Sequence, residues 1–273
     1  MNILAVETTG AHASAAIINE KEEITEIRGD GVLNHLQSIT VMIDEIVKER
    51  LSSIDDVDVI AASEGPGSFT GIRIGVSTVR ALAQALGKPV IAVPTLQTFV
   101  FNNPDFEGIV CPIFDARRSE IYGGAYAKEI IHVEKEHGDD SENEEAIEEI
   151  VVGAAYDIGE YLDRLSQELR ERCREDMSES ELLQIRFFGD GIEKYRPRIE
   201  EWADAQRELG RKYDITYAEE EPFQTATSVS KLALRLYNEG KTVSPYELRP
   251  NYMRKAEAER KLEEAQKTKG SER

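Results

Sequence analysis

The chain has 273 residues, with 53 Asp and Glu against 33 Lys and Arg, a net charge of -20 and an isoelectric point near 4.7. So acidic a composition opposes independent binding to nucleic acid, whose phosphates demand a basic face, and any RNA would have to be held by a partner. Cys111 and Cys173 are too few for a disulfide framework and read as thiols of a reducing compartment. No apolar run approaches the ~18 residues of a membrane span, and the start MNILAVETT lacks the basic region of a signal peptide, so a cytoplasmic protein without a membrane partner is expected.

In chain order, Asn2 to Val6 is a compact apolar run, followed by Glu7, Thr8, Thr9 and Gly10 and then a run of small residues, Ala13 to Ile18. A third, weaker run surrounds Ile24 and Ile27, which makes a three-stranded antiparallel meander. Leu36, Ile39, Ile43, Ile46 and Val47 recur at helical spacing, with Met42 widening the apolar arc. Val57 to Ala62 reads as a short buried strand.

The stretch Ser63 to Leu86, SEGPGSFTGIRIGVSTVRALAQAL, carries only Glu64, Arg73 and Arg80 as charges in a chain that is 32% charged. It opens as a glycine turn and continues as a helix ended by Gly87 and Pro89. At about 100° per residue, Ile72, Val76, Val79, Leu82, Ala83 and Leu86 share one face, an ordinary core stripe. The opposite face holds Ile74, Thr78, Ala81 and Ala85, small or apolar where an exposed helix would carry Lys and Glu. Two coverings fit that face, the protein's own interior or a helix of another subunit. Pro89 to Val93 then reads as a strand, and a short helix starts at Thr95.

Near Gly108 the β-β-β-α-β-α-β-α order starts again. Ile109 to Phe114 is a strand ending at Asp115, with further strands at Glu120 to Tyr126 and Ile130 to Val133. Tyr156 to Arg172 is a helix, and Arg186 to Phe188 runs into Gly189, Asp190 and Gly191 before a helix holding Trp202. Asp214 to Tyr217 and Ser228 to Tyr237 are the last strand and helix. The expected division is a lobe over 1–107, a second over 108–252 and a charged tail over 253–273. An acidic insert at about 134–149, which includes Asp139, Asp140, Glu142, Glu144, Glu145, Glu148 and Glu149, reads as a solvated loop or a binding segment.

The candidate chemistry narrows by spacing. The glycines at 65, 67, 71 and 75 fit neither a Walker A loop, since Ile72 and Arg73 follow Gly71, nor a dinucleotide fingerprint. A structural turn and anion binding at the helix N-terminus stay open. Glu7 with Thr8 and Thr9 offers oxygens for Mg²⁺ and phosphate, or closes a tight hairpin. His12, His35, His132 and His137 are scattered and support no metal site, and neither Ser63 nor Ser68 sits in a nucleophile motif.

ILAVETT, GPGSFTGIRIGVSTVRALAQALGKPV, FDARRSEIYGGAY, the GDG at 189 to 191 and ELRPNYMR together resemble the bacterial TsaB (YeaZ) family. The resemblance spans residues 2 to about 254 and leaves out the acidic insert and the tail. It implies an α/β fold of two RNase H-like lobes of the actin-like ATPase (ASKHA) type. It also implies a non-catalytic role beside TsaD, which holds the metal and uses threonylcarbamoyl-AMP to form N6-threonylcarbamoyladenosine (t6A) at position 37 of tRNA, with the ATPase TsaE joining the assembly. No cofactor is implied for this chain.

Two departures fit a loss of chemistry. The His-x-x-x-His metal motif of TsaD-like enzymes is His35 followed by Ile39 here, and the first-strand acid, Asp in many relatives, is Glu7. Glu7, Thr8, Thr9, Asp115, Gly189 and Gly191 are then vestiges of a nucleotide site. In the family the first two long helices bind TsaD, or a second TsaB when TsaD is absent. Carried over, the interface residues are Leu36, Ile39, Met42, Ile43, Ile74, Thr78, Ala81 and Ala85. The competing expectation is a stand-alone small-molecule kinase or ATPase of the same fold, with ATP and Mg²⁺ bound through Glu7, Thr8, Asp115, Gly189 and Gly191.

Overall fold

A computed structural model describes residues 1–29, 35–133, 142–175, 182–219 and 222–254. The first lobe is built from β1 (Asn2–Glu7), β2 (Ser14–Asn19), β3 (Ile24–Arg28), α1 (His35–Arg50), β4 (Val59–Gly65), α2 (Phe69–Leu86), β5 (Val90–Pro94) and a 3₁₀ helix, Thr95–Phe101. The second follows the same plan with β6 (Ile109–Asp115), β7 (Glu120–Val133), β8 (Glu142–Asp157), α3 (Ile158–Glu175), β9 (Leu183–Phe188), α4 (Gly191–Glu208), β10 (Tyr213–Tyr217) and α5 (Ala226–Asn238). The sheets run β3-β2-β1-β4-β5 and β10-β9-β6-β7-β8, so within each lobe the order is 3-2-1-4-5. In both, the first three strands pair antiparallel and the last two join in parallel. This is the RNase H-like plan, used twice, of the actin-like ATPase fold.

Side-chain alternation explains why β1 reads as an unbroken apolar run. Leu4 and Val6 enter the core beneath α1 and α2, while Ile3 and Ala5 enter a separate core on the other face. β4 does the same with Ile60 and Ala62 on one side and Val59 and Ala61 on the other. α1 supplies Ile39, Met42, Ile43, Ile46 and Val47 to the first of these cores, and α2 supplies Ile72, Val76, Val79 and Ala83.

The last helix of each repeat packs on the other lobe. Val229, Leu232, Ala233, Leu234 and Leu236 of α5 cover the back of the first sheet, against Ile3, Ala5, Ile18, Ile91 and Val93. Conversely, Leu96, Phe99 and Val100 of the 3₁₀ helix pack with Val110, Phe114, Tyr126 and Phe188 of the second lobe. The 108–252 segment therefore contributes a helix to the first lobe's core. Beyond α5, Val243 pairs with Val90 at the edge of β5, and Leu248 is buried in the first lobe.

Three expectations are corrected. Residues 130–133 are not a separate strand, because β7 runs unbroken from Glu120 to Val133. The third strand of the second lobe is instead β8, which starts inside the acidic run and sets Glu148 opposite Ala127 and Glu149 opposite Tyr126. An edge strand tolerates this charge, since only one margin is paired; Ala146, Ile150 and Val151 turn inward while Glu148 meets Arg172 of α3 in an ion pair. Asp139 and Asp140 lie outside the described residues. Met253 packs on the second lobe and Arg254 bonds to it, so the chain is still part of the fold at the start of the expected tail.

Candidate functional site

The two repeats meet at a cleft of about 750 Å³. The end of β1 forms its floor. Glu7 is fully buried, and its carboxylate accepts hydrogen bonds from the Thr9 N–H, from Thr9 Oγ1 at 2.6 Å and from Ser63 Oγ. Burial pushes the carboxyl above the usual Glu range despite these bonds. Thr8 is buried beside it and donates from Oγ1 to the Gly71 carbonyl at 2.8 Å. Thr9 reaches the cleft, where Gln224 Nε2 donates to its Oγ1 at 3.1 Å.

The glycine stretch has a packing role. A Cβ at Gly71 would overlap the Thr8 carbonyl oxygen, and one at Gly75 would overlap Thr8 Oγ1, so these two glycines let the first turns of α2 lie directly on the end of β1. Ser68 caps the helix, accepting from the Gly71 N–H at 3.3 Å, and its own N–H donates to the Thr9 carbonyl at 2.8 Å. The N-terminus of α2 is thus satisfied within its own lobe.

On the second lobe, Asp115 ends β6 and accepts at Oδ1 from Lys194 Nζ at 2.8 Å, from the Arg117 N–H at 2.9 Å and from Tyr195 at 3.2 Å. Burial alone would raise its pKa, but the bonds from Lys194 and Arg117 outweigh it and hold the carboxyl below the usual Asp range. Asp190, whose pKa is raised chiefly by burial, accepts the Asp115 N–H at 3.1 Å. Gly189 and Gly191 stand behind it, against the Ile113 carbonyl, and do not line the cleft. Arg117, Arg118 and Ser119 then turn the chain with φ of 67°, 54° and 65°, three left-handed residues in succession without a glycine.

The strap after α5 closes one end of the cleft. The Asn251 N–H donates to the Glu64 carbonyl at 2.7 Å, Tyr252 stacks on Phe69 at 4.8 Å, and Arg73 Nε donates to the Tyr252 hydroxyl at 2.7 Å. Arg254 then pairs with Glu120 at 2.8 Å and donates to the Ala116 carbonyl. These contacts tie α2 to the left-handed turn.

Of the expected nucleotide residues, the structure brings Thr9 and Asp115 to the cleft and leaves Glu7 and Thr8 sealed beneath it. Arg117, Arg118, Gln224 and Arg254 also line it. The first two were visible as the RR of FDARRSEIYGGAY and the last in ELRPNYMR, but their convergence was not. On α1, Ile39, Met42 and Ile43 are 0%, 5% and 7% exposed and belong to the first lobe's core, so their side chains present nothing to a partner; Val41 stands out instead at 52%. The side chain of Leu36 lies outside the described residues. On α2, Ile74 and Thr78 are half-buried, and Ala81 and Ala85 are exposed.

Together these features define a two-lobed protein of the actin-like ATPase fold in which the acid at the end of the first strand is sealed from the cleft. A family model described as TsaD, tRNA N6-adenosine threonylcarbamoyltransferase, matches residues 5–262. A Bacillus subtilis (strain 168) relative named tRNA threonylcarbamoyladenosine biosynthesis protein TsaB is 28% identical over 267 residues, 98% of this chain and 100% of its own length. The Escherichia coli (strain K12) protein of the same name is 32% identical over 140 residues, 47% of this chain and 56% of its own. The solved structure of YeaZ from Pseudomonas aeruginosa covers 92% of this chain and 99% of its own with a TM-score of 0.62 at 21% identity, a likeness of fold. The chain belongs to the TsaD-type threonylcarbamoyltransferase family, on its TsaB (YeaZ) branch.

Proposed function

We propose that this chain acts in the biosynthesis of threonylcarbamoyladenosine in tRNA as a non-catalytic scaffold that binds and activates a TsaD-type subunit. The observation that carries the reading is the outer face of α2. Ala81 and Ala85 are exposed and Thr78 is half-buried on a helix whose other side is core, while Ile74, also half-buried, packs in part against that core. Small side chains let a partner helix approach closely, and at ~25 cal/mol/Å² the covered apolar surface contributes several kcal/mol before association costs. Val41 of α1 is a further exposed apolar residue. The same face serves a second copy of this chain when TsaD is absent.

Catalysis belongs to the partner in this proposal. Ile39, at the position of a metal-binding His in TsaD-like enzymes, is a core residue here, and the Glu7 carboxylate is enclosed by Thr9 and Ser63. The same enclosure, with Lys194 on Asp115, opposes a stand-alone Mg²⁺-dependent kinase, which needs open carboxylate oxygens. A net charge of -20 favours contact with tRNA only through the complex, where a TsaE-type ATPase also joins, and the work is done in the cytoplasm.

The test is co-elution with the TsaD-type subunit in size exclusion, followed by assay of the modified adenosine in a reconstituted system. Ala81→Glu and Ala85→Arg are expected to abolish the complex and the modification while leaving the isolated chain folded. Unchanged co-elution of both variants would sink the proposal.

A further inference from the structure

We propose that the docking surface of α2 extends onto residues 241–252, which form a basic and aromatic flank for an acidic element of the TsaD-type subunit. This rests on the assignment of the outer face of α2 to that subunit. In the first lobe α1 lies over β2 and β3 and α2 over β4, while Val243 pairs with Val90 at the edge of β5. The helix α2 is therefore bordered by α1 on one side and by the 241–252 segment on the other. Helix and segment meet at both ends. Arg73 Nε donates to the Tyr252 hydroxyl at 2.7 Å near the start of α2, and Gln84 and Gly87 near its end share a groove of about 570 Å³ with Val243, Pro245 and Tyr246. At about 100° per residue Arg73, Arg80, Gln84 and Gly87 form one stripe, which sets Arg80 on the side of the segment.

This flank reverses the charge of the chain. Residues 65–104 contain no Asp or Glu in a protein of net charge -20, and they carry Arg73, Arg80 and Lys88. The segment adds Arg249, exposed beside the buried Leu248. Its acid, Glu247, is engaged locally, accepting the Ser244 N–H at 3.0 Å. Among the described residues none of the four cations has a carboxylate partner. Arg73 is held by the Tyr252 hydroxyl and Lys88 by the Asp55 carbonyl at 3.1 Å, while Arg80 and Arg249 have no polar partner. Elsewhere the abundant acids of this chain meet its cations, as Asp44 meets Lys48 and Glu160 meets Arg164. Cations left open beside a docking face fit carboxylates supplied from outside.

Aromatic side chains stand among these charges. Tyr246 is 68% exposed and Tyr252 39%, and such residues anchor protein interfaces because each buries a large ring while fixing only two rotatable bonds. An acidic protein surface fits this flank better than RNA does, since the negative field of the whole chain repels a polyanion beyond so short a strip. A second copy fits less well too. A two-fold contact of the flank with itself sets four cations against four.

Isothermal titration of the full chain with the TsaD-type subunit, at low and at raised salt, tests it. The double variant R80E/R249E is expected to weaken binding roughly tenfold or more and to remove most of its salt dependence, with unchanged circular dichroism. Tyr246→Ala is expected to weaken binding about tenfold at either salt. If the half-buried position 80 does not tolerate Glu, the variant Y246A/R249E, altered only at exposed positions, provides the second arm, with a loss of roughly tenfold or more. Wild-type affinity in the folded flank variants, while Ala81→Glu abolishes the complex, would overturn this extension alone. An intact complex in Ala81→Glu would instead overturn the scaffold assignment beneath it. Flank variants that impair only self-association of the chain, or only binding of tRNA, would likewise overturn the extension.

Discussion

No side chain fits at Gly71, because the Thr8 carbonyl oxygen occupies the place where its Cβ would stand. Both partners are main chain in a buried setting, so neither can rotate away. Gly71→Ala is therefore expected to destabilise the protein by ~2–3 kcal/mol, the upper part of the range for overpacking. Urea denaturation checks this through a lower midpoint at unchanged slope.

The buried Glu7 gives stability a defined pH dependence. A carboxyl whose folded pKa lies above its ordinary value of 4.5 contributes stability fully present below that value and lost as pH rises through the folded pKa. Glu7→Gln removes this contribution and can keep the same partners, accepting from Thr9 and donating to Ser63 Oγ. The variant is expected to match or exceed the wild type in stability near neutrality and to fall behind it as the medium is acidified. Paired urea melts across that pH range would contradict the account if the wild type gained on the variant toward higher pH.

Core and surface residues of α1 separate cleanly by mutation. Ile43→Ala empties a buried position and should cost ~2–5 kcal/mol in stability. Val41→Glu, at a site 52% exposed, should change stability by no more than about 0.5 kcal/mol while weakening docking if α1 shares the interface. Thermal melts combined with co-elution distinguish the two outcomes.

Arg254→Ala deprives Glu120 of its ion pair and the Ala116 carbonyl of a donor. The expected loss is ~1–2 kcal/mol, since Glu120 keeps substantial contact with water. Faster amide hydrogen exchange should be concentrated at residues 117–120, where the left-handed turn loses its support.

Cys111 is buried, and burial pushes its thiol up to about 12. Alkylation of the native protein at neutral pH should leave this residue unmodified, and peptide mass mapping after denaturation should show it reactive.

Much of the architecture was legible because strand and helix periods were clear, and because the same order of elements occurred twice. The glycine stretch was also legible as strand, turn and buried helix. Spacing could not tell a phosphate loop from a close backbone contact until Thr8 was seen beneath Gly71 and Gly75. Helical periodicity places Ile39, Met42 and Ile43 on one face of α1 but does not say whether that face meets a partner or the lobe's own sheet. β8 was hidden because charges on an edge strand mask its alternation. The turn at Arg117 to Ser119 carries no glycine to announce positive φ. The meeting of Arg254 with that turn joins residues more than a hundred positions apart.

The exchange of helices between the lobes bears on how the protein is made. As the chain leaves the ribosome, the first sheet can pair and bury one face under α1 and α2, but the other face, with Ile3, Ala5, Val59, Ala61, Ile91 and Val93, stays bare until α5 emerges, more than a hundred residues after β5. Sticky surface is thus displayed while the second lobe is being made, when a nascent chain is prone to aggregate. A fragment cut after residue 107 should be insoluble alone and recovered by co-expression with the remainder.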